Sequence, residues 1–459
     1  MNTNFSNLKL DSSLLNNLES LGYHQMTPIQ AEGLPHVLAG SDIIAKAKTG
    51  SGKTVAFGLG LINMLRRRSF AVQALVLCPT RELADQVAKE LRRLARANAN
   101  TKVVTLCGGA PFGPQVGSLE HGAHIVVGTP GRILKHLQKG TLRLDSVVAA
   151  VLDEADRMLD MGFYDDISTI LSATPSERQT MLFSATYPDM IRQLSSAFQR
   201  KPVEVTVESQ HDERKITQRF YEVEKGKRTR TLAALLAQYR PASTVVFCHT
   251  RQQCQEVTEE LQLRGVLALA LHGDLDQKER DQVLVRFSNR SIPVLVATDV
   301  ASRGLDIKDL EAVINYELPR DPEIYVHRIG RTGRAGSKGL AFSLYIPSEA
   351  YRVNAIEEYQ QSKVQLEEVH NLKLPDDFTL TPPMVTLCID GGRKEKVRPG
   401  DILGALTADQ AITKEKVGKI DIFDHVAYVA IDRSIRKVAL RVLSEGKIKG
   451  RRFKVRAIH

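Results

Sequence analysis

The 459-residue sequence predicts two tandem α/β domains, each on a parallel sheet, followed by a small α+β domain of order βαββαβ. Three observations lead there. From about residue 40 to 345, short apolar runs alternate with longer amphipathic stretches, the pattern of parallel strands covered by helices on both faces. Polar or proline-bearing spans interrupt the series at 208–216 and 363–383. Charge is uneven: residues 384–459 hold 17 Lys and Arg against 9 Asp and Glu, a net +8 of the whole chain's +10.

In the first domain, 1–207, strand-like runs fall at 41–47, 73–79, 102–108, 124–130, 147–156 and 179–185, with a helical stretch at 85–97. The span 208–216 is expected to be a linker. The second domain, 217–362, has runs at 243–249, 266–272, 293–299, 310–316 and 340–346, with a helix over 252–265. A single sheet of all these strands is the alternative, disfavoured because open sheets rarely exceed about ten strands. The span 363–383 ends in a proline-bearing extended segment, LPDDFTLTPP, read as a second linker. Beyond it, 384–390, 418–423, 425–432 and 451–458 read as strands, and 398–408 and 433–446 as helices.

Composition excludes several classes. With 42% hydrophobic and 25% charged residues, the chain has the make-up of globular domains and not of a disordered one. No apolar run approaches the ~18–20 residues that span a bilayer, and the N-terminus carries no basic-then-apolar leader. Cys78, Cys107, Cys248, Cys254 and Cys388 form no CxxC pair, so they are expected to be buried thiols of a reducing, cytoplasmic compartment. The basic tail calls for a polyanion. It has no amphipathic apolar face, which favours nucleic acid over membrane lipid.

Ala47-Lys48-Thr49-Gly50-Ser51-Gly52-Lys53-Thr54 follows directly on the first strand. A Gly-rich loop between strand and helix turns backbone N–H groups toward phosphate oxygens. Lys53 can reach the β- and γ-phosphates, and the Thr54 hydroxyl can ligate Mg²⁺. Further on, VVAAVL delivers Asp153-Glu154-Ala155-Asp156 to the end of a buried strand. There Asp153 can hold Mg²⁺ and Glu154 can orient an attacking water. The bland alternative to the first motif is a plain Gly-rich turn, disfavoured by the strand–loop–helix order; alone, the second reads equally as an acidic helix cap. Together they indicate an ATPase.

The sequence also carries Gly22-Tyr23 through Thr27-Pro28-Ile29-Gln30, Pro79-Thr80-Arg81-Glu82-Leu83-Ala84, Gly108-Gly109, Thr129-Pro130-Gly131-Arg132, Ser184-Ala185-Thr186 and His327-Arg328-Ile329-Gly330-Arg331-Thr332-Gly333-Arg334. In this order, over residues 5 to about 345, they resemble the DEAD-box RNA helicases. The resemblance implies two RecA-like lobes and RNA-dependent ATP hydrolysis that locally separates short duplexes. It implies that Gln30 reads the adenine, with Tyr23 and Phe5 beside the base, and that Thr49, Gly50, Ser51, Gly52, Lys53 and Thr54 cradle the phosphates. Thr27-x-x-Gln30 with Pro28 also reads as a helix capping box, and both roles can coexist. Asp156, Ser184 and Thr186 are implied to couple ATP to RNA. Arg331 and Arg334 are the implied γ-phosphate arginines, with His327 alongside, and Gly304 and Asp306 near the ribose.

For RNA, the resemblance implies backbone contacts from Thr80, Arg81, Gly109, Thr129, Gly131 and Arg132 in the first lobe. In the second it implies Thr250, Arg251, Gly273, Thr298 and Asp299. The tail resembles an RNA recognition motif that is thin in stacking aromatics: Thr386 stands where an aromatic is usual, and only Tyr428 remains on the third strand. Arg393, Lys394, Lys396 and Arg398, with Lys447, Lys449, Arg451 and Arg452, are the alternative RNA contacts. A helicase core with such a tail is similar to a bacterial subfamily acting in large-subunit ribosome assembly, which implies tethering to large-subunit (23S-type) rRNA near the peptidyl-transferase centre. DNA is not an expected partner. A generalist helicase or chaperone on mRNA, and an ATP-gated RNA clamp or scaffold, are the competing readings.

Overall fold

The computed structural model describes residues 3–47, 50–98, 100–184, 186–187, 189–207, 216–302, 310–333, 339–408 and 412–458. Thr49, Gly304, Asp306, Arg334 and residues 208–215 lie outside the described residues. Among those described, no helix is long and apolar enough to cross a membrane.

The first lobe is a seven-stranded parallel sheet of β1 (Ile43–Lys46), β2 (Ala74–Leu77), β3 (Val103–Leu106), β4 (Ile125–Gly128), β5 (Ala149–Asp153), β6 (Gln179–Ser184) and β7 (Val203–Thr206), in the order β3-β4-β2-β5-β6-β1-β7. Residues alternate between two cores. Ile43, Ala45, Val76, Val127, Val151 and Phe183 pack on one face, and Ile44, Leu75, Leu77, Val126, Leu152 and Leu182 on the other. Both faces are thus covered, so the central strands are apolar at nearly every position.

The second lobe repeats this plan with β8 (Ile216–Glu222), β9 (Thr244–Cys248), β10 (Ala268–Leu271), β11 (Val294–Thr298), β12 (Ala312–Asn315), β13 (Gly339–Tyr345) and β14 (Gln365–Glu367). Its order, β10-β11-β9-β12-β13-β8-β14, matches the first sheet strand for strand. Two spans read as linkers belong in part to this lobe. Ile216 opens β8. The 363–383 span supplies β14, paired parallel to β8, and buries Phe378 and Leu380 in the lobe's core.

The tail is an antiparallel sheet of β15 (Met384–Ile389), β16 (Val417–Ile422), β17 (Ala427–Asp432) and β18 (Val455–Ala457), ordered β16-β17-β15-β18. Val385, Leu387 and Ile389 point to the helices Pro399–Thr407 and Arg436–Glu445 and form its core with Ile402, Leu406, Ala439 and Leu443. The opposite sheet face is covered by the second lobe. Cys388 and Tyr428 cluster with Val285 of the Gln277–Ser288 helix. The Thr386 hydroxyl lies 2.7 Å from Ser291 Oγ and accepts from Asn289 Nδ2 at 3.3 Å. Lys419 Nζ donates to Ser288 Oγ at 3.2 Å. The second lobe and the tail form one compact unit, and the first lobe the other.

Candidate active site and nucleic-acid interface

Because all seven strands of the first lobe are parallel, every loop leaving a strand's C-terminal end reaches the same sheet edge, where ligands of open α/β sheets bind. The strand order divides that edge. β5, β6 and β1 are neighbours, and they carry Asp153-Glu154, Ser184 and the Gly-rich loop. β3, β4 and β2 are neighbours on the other half, and they lead to Gly109, Thr129-Gly131-Arg132 and Thr80-Arg81.

In the phosphate loop, Gly50 and Gly52 have φ of +85° and +96°, a region open to glycine at little cost. The Lys53–Met64 helix starts directly after. Lys53 is buried, and its Nζ donates to the Ala47 carbonyl at 2.9 Å, arching the side chain back over the loop. Thr54 follows in the helix's first turn. Gln30 Oε1 accepts from Thr27 N at 2.9 Å, while its Nε2 donates to the Gly52 carbonyl at 3.1 Å. One amide thus closes half of a capping box and ties that helix to the loop. Any Cβ at position 52 would overlap the Gln30 amide. Tyr23 donates to Glu90 at 2.7 Å, and burial with this contact raises its hydroxyl to about 12. Phe5 is buried in the core beneath.

Asp153 ends β5, fully buried, with Oδ1 lacking any hydrogen-bond partner; Ser51 Oγ and Ser184 Oγ are likewise buried and unpartnered. Burial first, then the neighbouring Glu154 and Asp156, raises the Asp153 carboxyl to about 6 against the pull of Lys53. An orphaned carboxylate oxygen beside the phosphate loop suits a hard cation taking oxygen ligands, and Asp153 with Thr54 is the donor set that fits Mg²⁺. Glu154 has φ +55° and ψ +50°, a left-handed conformation costing a non-glycine residue about 1–2 kcal/mol. A buried ion pair with Arg157 at 2.9 Å directs its carboxylate. Asp156 accepts from Arg157 N and from Thr186 N, each at 3.0 Å, which joins the loops after β5 and β6.

Toward the other half of the edge, Thr80 caps the Arg81–Leu94 helix by accepting from Leu83 N at 3.3 Å. Thr129 precedes the Pro130–Gln138 helix, and Arg132 donates to the Ala110 carbonyl at 3.0 Å, beside left-handed Gly109. The second lobe repeats the device. Cys78-Pro79-Thr80-Arg81 after β2 corresponds to Cys248-His249-Thr250-Arg251 after β9, and Thr250 caps its helix by accepting from Gln253 N at 3.2 Å. Arg251 pairs with Asp274, next to Gly273. Thr298 accepts from Ala301 N at 3.3 Å. Asp299, expected to contact RNA, accepts from Arg328 through both carboxylate oxygens at 2.7 Å. His327 lies in the last turn of the Pro322–Ile329 helix, and Arg331 just beyond it is buried.

In the tail, Tyr428, expected to contact RNA, lies on the sheet face turned to the second lobe. It is buried against Val285 and edge-on to Phe423, so no base reaches its ring in this arrangement. The two basic runs, by contrast, converge. Lys449 Nζ donates to the Lys396 carbonyl at 2.9 Å, joining the turn with Arg393, Lys394, Lys396 and Arg398 to the turn with Lys447, Lys449, Arg451 and Arg452. Gly392 lets the first of these turns lie against the 423–424 backbone, because a Cβ there would overlap Phe423 and Asp424. Sequence reasoning passed over Arg157 and Arg328. Arg157 lies one helical turn from Glu154, which was the available signal; Arg328 meets Asp299 from 29 positions away, and nothing local to it announces that pairing.

Comparison with known proteins agrees with this geometry. The DEAD/DEAH box helicase family profile matches residues 27–194, the helicase conserved C-terminal domain 226–336, and the DbpA RNA binding domain 386–457. The chain is 53% identical to the ATP-dependent RNA helicase DbpA of Escherichia coli K12, over 99% of this chain and 100% of that protein. It is 46% identical to the DEAD-box ATP-dependent RNA helicase CshA of Bacillus cereus, over 79% of this chain and 69% of that one. Among solved structures, S. cerevisiae Dbp5 bound to RNA and ADP BeF3 superposes with a TM-score of 0.73 at 28% identity, covering 80% of this chain and 96% of that chain. Two matched parallel sheets, a phosphate loop beside an Asp-Glu strand end, and a tail matched by its own family profile lead to one assignment: the chain belongs to the DbpA-type DEAD-box ATP-dependent RNA helicases.

Proposed function

We propose that this helicase is tethered by its tail to large-subunit rRNA near the peptidyl-transferase centre, and that it separates short neighbouring duplexes during large-subunit assembly in the cytoplasm. The observation that carries the reading is the division of labour in the tail. Its stacking face is spent on the second lobe, while eight cations gather on two abutting turns, where Arg393 pairs with Asp424 at 3.4 Å in a domain that carries a net +8. Such a surface suits a folded RNA element, gripped through phosphates and shape. The full-length likeness to DbpA, tail included, supports the rRNA target.

In the core, Lys53 and the loop N–H groups hold the ATP phosphates, with Thr49 among them, and Gln30 reads the adenine edge with Tyr23 and Phe5 nearby. Bound Mg²⁺, held by Thr54 and Asp153, supplies charge compensation on the phosphates. Glu154, kept in direction by Arg157, orients the water. Arg331 and Arg334 meet the γ-phosphoryl charge when the lobes close, with His327 beside them and Gly304 and Asp306 at the ribose. Arginines in such positions are worth roughly 10³- to 10⁵-fold in rate. Asp156, Ser184 and Thr186 link that closure to RNA lying along Thr80, Arg81, Gly109, Thr129, Gly131 and Arg132 and along Thr250, Arg251, Gly273 and Thr298. The likeness to Dbp5 bound to RNA and ADP BeF3 supports this assignment of the two edge halves.

The test compares ATPase stimulation by two RNAs of equal length at one moderate salt concentration: a large-subunit fragment with the peptidyl-transferase-centre hairpin, and an unrelated hairpin. Salt is fixed because phosphate contacts alone can dominate affinity. Stimulation at low concentration by the rRNA fragment alone is the expected result. Equal stimulation by both refutes the target.

A further inference from the structure

One heavily bonded side chain of the second lobe has no role in the motif reading. Arg328 follows His327 in the last turn of the Pro322–Ile329 helix, with its side chain only 2% exposed. Its Nε and Nη2 donate to the two Asp299 oxygens at 2.7 Å each. Its Nη1 donates to Asn315 Oδ1 at 3.0 Å and to the Glu317 carbonyl at 2.8 Å. The guanidinium also lies 5.0 Å from the Phe247 ring centroid. From there the network continues. Glu317 Oε2 accepts from His249 N at 3.1 Å and faces His249 Nδ1 at 3.3 Å, and His249 Nε2 lies 3.0 Å from the Leu318 carbonyl.

These partners are not scattered. Asp299 directly follows Thr298, and His249 directly precedes Thr250-Arg251. One planar fork therefore binds the helix that carries His327 and leads into Arg331 to the loop after β11 and, through Glu317, to the loop after β9. A buried guanidinium is tolerated only when its donors are fully met, and its rigid bidentate geometry has few satisfied arrangements. A movement of either loop must then move the helix, or break several buried bonds.

We propose that Arg328 is the positioning residue through which the second lobe couples RNA binding to the nucleotide-facing arginines. The proposal rests on the reading of Thr250, Arg251 and Thr298 as RNA contacts. Asp299 and Glu317 are its two arms: the first holds the β11 loop, the second the β9 loop. Lysine, with one point charge and no fork, cannot serve both at once.

The experiment uses the full chain and measures binding of a fluorescent single-stranded RNA with and without a non-hydrolysable ATP analogue. The ratio of the two affinities is the coupling factor, and linkage makes it the same whichever ligand is added first. Arg328→Lys is expected to lower that factor about tenfold, within the ordinary range of coupling energies. RNA binding without nucleotide, and analogue binding without RNA, should each stay within about twofold, a split that loss of folded protein does not produce. Arg328→Lys combined with Asp299→Asn should lower the factor no further than the more severe single change, as expected of residues acting as one element. Should Arg328→Lys melt the lobe, Glu317→Gln probes the far arm and should lower the factor in a protein whose thermal melt is unchanged. An unaltered factor in a folded Arg328→Lys, or in Glu317→Gln where the first does not fold, overturns the proposal. Arg251→Ala is measured alongside. If it leaves nucleotide-free RNA binding intact, the RNA reading of the β9 loop fails, and that outcome is separate from any change in coupling.

Discussion

Thr386→Val should release the tail from the second lobe while leaving both folded. Ser291 already gives its hydroxyl hydrogen to the Arg286 carbonyl at 2.8 Å, so Thr386 must donate to Ser291 and accept from Asn289. Valine keeps the shape and removes both bonds, each worth about 1 kcal/mol net. It also strands the Asn289 amide hydrogen in a buried site, at about 1 kcal/mol or more. The added methyl returns up to about 1 kcal/mol, which leaves about 2 kcal/mol against docking and shifts the docked-to-open ratio about 30-fold. The core of the tail is spared, because Val385, Leu387 and Ile389 face the other way. Cys388 is the reporter: it lies buried in the docked face beside Val285, and burial holds its thiol up at about 11. Opening exposes it to a thiol reagent, so its labelling rate, resolved by mass spectrometry, should rise by that same factor if opening is fast relative to labelling. Cys254, buried in the second lobe's core, should remain unlabelled. An unchanged Cys388 rate, or an equal rise at Cys254, refutes the reasoning.

Gln30→Ala removes the bonds to Thr27 N and the Gly52 carbonyl and should cost the first lobe about 1–2 kcal/mol in chemical denaturation, together with weaker nucleotide binding by fluorescent titration. Unaltered stability would count against the Gln30 anchor. Asp42 accepts from Thr180 N at 2.7 Å and from Arg200 N at 2.6 Å, so Asp42→Ala leaves two backbone donors unmet. It should lower first-lobe stability by about 2–4 kcal/mol, again read by denaturant midpoint. His136 is held down to about 4 from an ordinary 6.5 by burial, then by Arg132 and Lys135. The unfolded chain therefore takes a proton that the folded lobe refuses, so stability from this group is complete above about 6.5 and declines as pH falls toward 4. His136→Gln should flatten the slope of stability against pH in that window; an identical slope in both proteins contradicts the assignment.

The central strands of both lobes were legible because burial on two faces makes them apolar throughout. Strands β7, β8 and β14, at one margin of each sheet, were not. Val203-Glu204-Val205-Thr206, Ile216 to Glu222 and Gln365-Leu366-Glu367 mix in polar residues, since at the sheet's margin one face or edge meets water. The motif loops could be read in order, yet their partition into two halves of each edge depends on strand order, which follows from long-range pairing and not from local pattern. Thr386 is the instructive case. From sequence it registers as a missing stacking ring, but in the fold it is a hydroxyl matched to Ser291 and Asn289, two residues about 95 positions upstream. Nothing local to β15 announces that match. Asp299 was likewise found by its motif, but its bidentate partner Arg328 arrives from another helix and could not be read from the motif.

The inclusion of β14, Phe378 and Leu380 in the second lobe bears on how this chain can be cut. The helicase motifs end with the 327–334 segment, but the sheet that presents them does not close until 367, and its apolar filling continues to 380. A fragment ended soon after the last motif would bare the flank of β8 and empty two core positions, inviting strand-edge aggregation. One ended at 383 keeps the sheet whole yet still uncovers Val285. A soluble tail-free enzyme therefore needs its last residue beyond Leu380 and a polar replacement at Val285, a boundary set by packing and not by motif.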